Sequence, residues 1–117
     1  MKHETYHNQL KNKMDAYAHL TYKLTKKFPK DEMYGIISQL RRSSLSVILN
    51  YIEGYARVKD KVHKNFLETS YGSLKESKYL LHFSFVEKYI STKEYDDAMK
   101  LAEDIGAMLW GIMKNIK

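Results

Sequence analysis

Apolar residues recur along this chain at three- and four-residue spacing, in four runs separated by short polar breaks. Tyr6, Leu10, Met14, Tyr17, Leu20, Leu24 and Phe28 form the first run, and that period marks one face of an α-helix. It predicts a helix over about residues 4–28. Pro29 ends it, because the residue before a proline is pushed out of the helical region. Asp31 and Glu32 then suit the positive end of a new helix dipole. Met33, Ile37, Leu40, Ser44, Val47 and Tyr51 step by four and three, and Ile36, Ile48, Ile52 and Tyr55 broaden that face. The second helix is expected over about residues 31–57.

A third run, over about residues 60–89, carries Leu67, Leu74 and Leu81 seven apart, with Ser70, Ser77 and Ser84 on a neighbouring edge. Leucine seams beside small residues let another helix approach closely. The fourth, over about residues 92–116, opens with Ser91-Thr92-Lys93-Glu94. That is a capping box, in which each side chain satisfies a free backbone donor of the first turn. Tyr95, Ala98, Ala102, Ile105, Leu109, Ile112 and Ile116 continue the repeat, and Lys114 and Lys117 suit the negative end of the dipole. Four segments of about 25 residues give helices about 38 Å long. Equal helices joined by short links predict an all-α fold, an antiparallel up-down four-helix bundle forming one domain over residues 1–117. Gly35, Gly54, Gly72, Gly106 and Gly111 all fall inside these segments. Each costs about 1 kcal/mol relative to alanine, so close helix approach is the expected reason for them.

Composition agrees and narrows the classes. One proline and five glycines in 117 residues are too few turn-formers for a sandwich of short strands. The absence of cysteine excludes disulfides and thiolate metal sites. No apolar run is long enough to span a bilayer, and MKHETYHNQL lacks the apolar core of a signal peptide; a cytoplasmic location is expected. The net charge is +6, concentrated in residues 1–30, where seven lysines face only Glu4 and Asp15. A basic surface of this kind draws phosphate polymers. Lys23, Lys26, Lys27 and Lys30 fall on one side of the first helix, and Lys11 and Lys13 extend the cationic set. Contacts from such lysines give affinity without sequence choice. Tyr22 beside Lys23 and Lys26 is the best place for a base to stack.

Catalytic signatures are missing. Glu4-x-x-His7 has the carboxylate–histidine spacing of di-iron bundles, but that chemistry needs a second such motif and two further inward glutamates. Asp60-x-x-His63 is the only similar pair, and it sits at a helix start. His3 and His7 are two ligands at most. No nucleophile triad or phosphate-binding glycine loop occurs. No metal, no cofactor and no enzymatic activity are expected.

The second helix carries a different signal. At 100° per residue, Gln39, Arg42, Ser46, Asn50, Glu53 and Arg57 form one polar stripe. A solvent face is usually rich in Lys and Glu, whereas this one holds amides, hydroxyls, one Glu and two Arg. It reads as a polar interface lining the back of the helix. Arg41 falls instead in the apolar sector, where a charge must find a carboxylate, reach water along its stem, or enter a subunit contact.

Phe28-Pro29, Glu32, Tyr34-Gly35, the run Gln39-Leu40-Arg41-Arg42-Ser43-Ser44-Leu45-Ser46, then Asn50 and Ile52-Glu53-Gly54 resemble the signature of the four-helix-bundle proteins of the 23S ribosomal-RNA intervening-sequence type. Asn65-Phe66-Leu67 and Tyr71-Gly72-Ser73-Leu74-Lys75-Glu76 resemble that family's second block. The resemblance implies a bundle that assembles with itself, in a ring of five in the wider family. A related branch, the accessory proteins of diversity-generating retroelements, implies RNA or DNA and a reverse transcriptase as partners. On this resemblance Gln39, Arg42, Asn50 and Glu53 belong to the shared polar face, and Arg41 and Arg42 match its paired arginines. The expected function is a non-enzymatic, self-assembling nucleic-acid-binding bundle. The rival is a structural protein-interaction module whose charge serves solubility.

Overall fold

A computed structural model describes residues 2–116, with side chains described from Thr5 onward. Among the described residues the chain forms four α-helices: α1 (Lys2–Thr25), α2 (Ser38–Tyr55), α3 (Asp60–Val86) and α4 (Thr92–Met113). Each packs against its neighbours in sequence, and α1 closes the bundle against α4. This is the expected antiparallel up-down bundle, 43 Å along its longest axis. α2 and α3 form its most extensive helix pair.

The repeats bury the faces they mark. Leu10, Met14 and Tyr17 of α1, Leu40, Val47 and Tyr51 of α2, Leu67, Leu74 and Leu81 of α3, and Ala98, Ala102, Ile105 and Leu109 of α4 are all buried. Serines and threonines sit in the same layers, and their hydroxyls tie the helices together. Ser70 Oγ donates to the Val47 carbonyl at 2.6 Å, Thr21 and Ser44 hydroxyls meet at 2.6 Å, and Tyr17 and Ser77 hydroxyls meet at 2.7 Å. Small polar residues thus bring backbones close while leaving no hydroxyl unpaired at these three contacts. Burial pushes the Tyr17 phenol far above its ordinary range, against the opposing pull of Ser77, so it stays neutral.

Helix ends differ from expectation in three places. α1 stops at Thr25, and Lys27 and Phe28 follow in a turn whose amides bond the Leu24 and Thr25 carbonyls. The second helix does not begin at residue 31. A 3-10 turn over Lys30–Glu32 passes into a π turn over Met33–Ile37, where Gly35 leaves the helical region at φ −111°, ψ −112°. The apolar spacing hides this break, because over so few residues steps of three and four are compatible with a 3-10 or π turn as well as with an α-helix. Met33, expected in the core face, is consequently exposed. α3 ends at Val86 in a Schellman motif with Lys88 at φ 65°: Tyr89 N–H bonds the Ser84 carbonyl at 2.8 Å and Lys88 N–H bonds the Phe85 carbonyl at 3.0 Å. Glycine is the usual residue there, so its absence hid the stop. The capping box of α4 forms as expected: Ser91 Oγ accepts from Glu94 N–H at 3.1 Å and Glu94 Oε1 accepts from Ser91 N–H at 2.8 Å.

The glycines divide. A Cβ on Gly54 would stand 3.2 Å from Phe66 Cβ and 3.3 Å from Leu67 Cδ2, so close approach of α3 explains it. Gly72 has no neighbour within 4 Å and needs another reason.

Candidate functional site

The six lysines expected to hold phosphate take two different positions. Lys13 reaches Asp104 at 3.7 Å, which fastens α1 to α4, and Lys27 pairs with Glu94, which fastens the turn after α1 to the start of α4. The Lys27 ammonium, followed by the Ser91 amide, holds the Glu94 carboxyl below its ordinary value. Lys11, Lys23, Lys26 and Lys30 are exposed and enter no ion pair among the described residues. Lys23 lies on the side of α1 opposite Leu10, facing away from the core, and Lys26 is exposed in the turn that follows the helix.

The polar stripe of α2 does not lie on the free back of the helix. It runs along the flank that meets α3. Ser46 Oγ bonds Ser73 Oγ at 2.8 Å, Arg42 pairs with Glu76, and the Arg57 guanidinium lies 5.1 Å from the centre of the Phe66 ring. Asn50 donates to the Ser46 carbonyl at 2.9 Å, and Glu53 pairs with Arg57 one turn on. Gln39 is exposed at the helix start. Arg41 pairs with no carboxylate among the described residues: its Nε donates to Thr25 Oγ1 at 2.8 Å and its guanidinium sits 4.8 Å from the Tyr22 ring centre. A cation over an aromatic face needs no carboxylate, and here it binds α1 to α2.

What faces outward on α2 is apolar. Leu45, Leu49 and Ile52, spaced four and three, are exposed, Leu49 at 54%. A second row stands on α3: Tyr79, Phe83 and Val86 are exposed, Tyr79 at 62%. Both rows were missed as surfaces. Their period was visible, but a helical repeat does not say which side is inside when two helix faces are apolar.

A third feature went unseen in the sequence. At the end of the bundle where α1 starts and α4 stops, the Tyr55 ring stands between two imidazoles, with ring centres 4.5 Å from His7 and 4.4 Å from His63. His7 Nδ1 and the Tyr51 hydroxyl share a 2.5 Å hydrogen bond. Burial, and after it Tyr55, pushes the Tyr51 phenol above its ordinary range, which keeps its proton available to that bond. His63 Nε2 is buried with no hydrogen-bond partner among the described residues, a deficit of about 1–3 kcal/mol. Two clefts, of about 540 and 560 Å³, open on either side of His7 and Tyr55. No group of three or more metal-ligating side chains lies together among the described residues. The Glu4 and His3 of the considered metal motifs, and Lys117, lie outside the described side chains. No described helix is long and apolar enough to cross a membrane.

This arrangement of helices can be set beside known proteins. The family model described as 23S rRNA-intervening sequence protein matches residues 7–111. The chain belongs to that family. The match covers all of α2 and α3, whose residues carried the resemblance, together with most of α1 and α4. No curated protein matches the chain. Among solved structures it is similar to a protein of unknown function from the S23 ribosomal protein family of Bacteroides thetaiotaomicron. The TM-score is 0.82 at 21% identity, over 91% of this chain and 99% of that one. At that identity the likeness is one of fold.

Proposed function

We propose that this member of the 23S rRNA-intervening sequence family is a non-catalytic scaffold that assembles with copies of itself and carries nucleic acid on the outer face of α1. The observation that carries the reading is the pair of unpartnered apolar rows, Leu45–Leu49–Ile52 on α2 and Tyr79–Phe83–Val86 on α3. Exposed apolar rows on a small domain mark contact surfaces. Because the two rows differ and lie on different helices, one bundle can offer its α2 row to the α3 row of the next. Such head-to-tail contacts close into a ring when the rotation from one copy to the next divides a full turn. A ring of five is the number implied by the resemblance. The polar stripe from Gln39 to Arg57, with Arg42 and Glu53 beside the α2 row, would frame this contact rather than form its centre.

Repeated around a ring, Lys11, Lys23, Lys26 and Lys30 would multiply into a continuous cationic surface for RNA or DNA. Likeness to accessory proteins of diversity-generating retroelements extends the reading to a reverse transcriptase and its template RNA as partners. A second reading, a protein-interaction module without nucleic acid, draws support from Lys13 and Lys27, whose charge is spent inside the monomer.

Light scattering at micromolar concentration tests the assembly. A mass several times the 13.9 kDa of one chain is expected. Leu49→Glu, at an exposed position, is expected to leave helical content unchanged and reduce the mass to that of a monomer. A monomeric wild type, or an unchanged mass for both Leu49→Glu and Phe83→Glu, would overturn it.

A further inference from the structure

The two clefts at the end of the bundle share a wall made by His7 and Tyr55 but differ in chemistry. The larger is walled by Tyr6, Tyr55, His63, Ile112 and Asn115, and no acidic or lysine side chain among the described residues lines it. Asn115 spends its amide hydrogen on the Gly111 carbonyl, which leaves its side-chain oxygen to accept. The Tyr55 hydroxyl lies 3.4 Å from His7 Nε2 and is also hydrogen-bonded to Tyr51. His63 Nε2 is a buried ring nitrogen with no hydrogen-bond partner among the described residues. The smaller cleft is lined by Lys11 and Asn8, on the α2 side of the same wall, and Lys11 enters no ion pair among the described residues.

A ring-lined cleft with a few hydrogen-bonding edges, opening beside a second, mostly apolar cleft that holds one lysine, matches the two halves of a nucleotide. Planar bases stack on tyrosine and histidine rings and bond through their edges, while a lysine holds the phosphate as a point charge. Each cleft falls within the range of small-molecule sites, roughly 300–1,000 Å³. We infer that the bundle end is a nucleotide-binding site, with the base against Tyr55 and His63 and the phosphate on Lys11. The inference rests on the nucleic-acid reading above and deepens it: a single unstacked nucleotide of a single strand is gripped here, while the outer lysines of α1 hold backbone without choice of base. It gives Lys11 a role distinct from that of Lys23 and Lys26.

The test titrates uridine, uridine 5′-monophosphate and a short single-stranded RNA into the full chain, reading the histidine resonances by NMR. Saturable shifts of His7 and His63 are expected with all three, while His19 and His82, which lie away from the clefts, stay still. Lys11→Ala is expected to weaken the monophosphate about tenfold and leave uridine unchanged. Tyr55→Ala is expected to weaken both about tenfold. Should Tyr55→Ala fail to fold, Lys11→Ala still decides, since its side chain is exposed. RNA binding that leaves His7 and His63 unshifted overturns the inference and spares the lysine surface. No RNA binding at low salt, with no nucleotide binding, overturns both.

Discussion

Gly54 and Gly72 look alike in the sequence: both fall inside expected helices and in blocks that carry the family resemblance, though Gly54 is the second-last residue of α2 and Gly72 an interior residue of α3. Their surroundings give one substitution opposite signs. Replacing either with alanine gains about 1 kcal/mol of helix propensity. At Gly72 nothing opposes that gain, so Gly72→Ala is expected to raise the stability by up to about 1 kcal/mol. At Gly54 the new methyl would press on Phe66 Cβ, an atom fixed to the α3 backbone, at 3.2 Å. Overpacking of this kind costs about 1–3 kcal/mol, so Gly54→Ala is expected to lower the stability. Urea unfolding of the two variants measures both, and equal stabilisation would show that α3 yields at Phe66. Arg41 teaches the same lesson from the polar side. Its place in the apolar sector was legible from the wheel, but its partners, Thr25 and the Tyr22 ring, lie on another helix, and no spacing within α2 points to them.

At the scale of elements, local chemistry was read well where it is self-contained. The capping box of α4 needs only residues 91–94, and it forms as the spacing says. Glu94 does two jobs there, bonding the Ser91 amide and pairing with Lys27 in the turn after α1. Glu94→Gln keeps the cap and removes the charge, whereas Ser91→Ala removes the cap. Ser91→Ala is expected to cost about 1 kcal/mol at any pH. The Glu94 carboxyl titrates below its ordinary 4.5 in the folded state. Its contribution is therefore present above that value and lost as pH falls through the lower folded one. Glu94→Gln is expected to lower the stability near neutrality by no more than about 1 kcal/mol, as for other partly exposed pairs. The difference from wild type should shrink as acid protonates Glu94. Thermal unfolding between neutral and acidic pH follows it, and a gap that widens in acid would contradict the assignment. By contrast, the entry to α2 and the exit from α3 were misjudged. A π turn around Gly35 and a left-handed Lys88 leave the apolar period intact, so pattern alone runs past both.

For the whole molecule, the charge of +6 becomes a surface only once the ion pairs are known. Two of the six candidate lysines are taken up by Asp104 and Glu94, which leaves Lys11, Lys23, Lys26 and Lys30 to meet phosphate. RNA affinity is expected to fall steeply with salt, by about 0.7 in the logarithmic slope for each single-strand phosphate neutralised. Lys23→Ala and Lys26→Ala are each expected to reduce that slope by about 0.7, and Lys27→Ala to reduce it less. A salt titration of a fluorescent RNA oligomer checks this. A larger change from Lys27→Ala than from Lys23→Ala would place the cationic surface elsewhere.

The amino-acid order determined four amphipathic helices, the faces that form their core, the serine-lined seam of α3 and the cap of α4. All of these follow from contacts within a few residues, which a periodic pattern records directly. Only the tertiary structure decided which flank of α2 would lie against α3, and therefore that the stripe from Arg42 to Arg57 is largely spoken for while Leu45, Leu49 and Ile52 face outward. A helix wheel gives each side chain an angle but not the angles from which neighbours approach. The same holds at the bundle end: Tyr6, Tyr55 and His63 come from three helices and Asn115 from the turn after the fourth, and only antiparallel packing gathers them around one cleft.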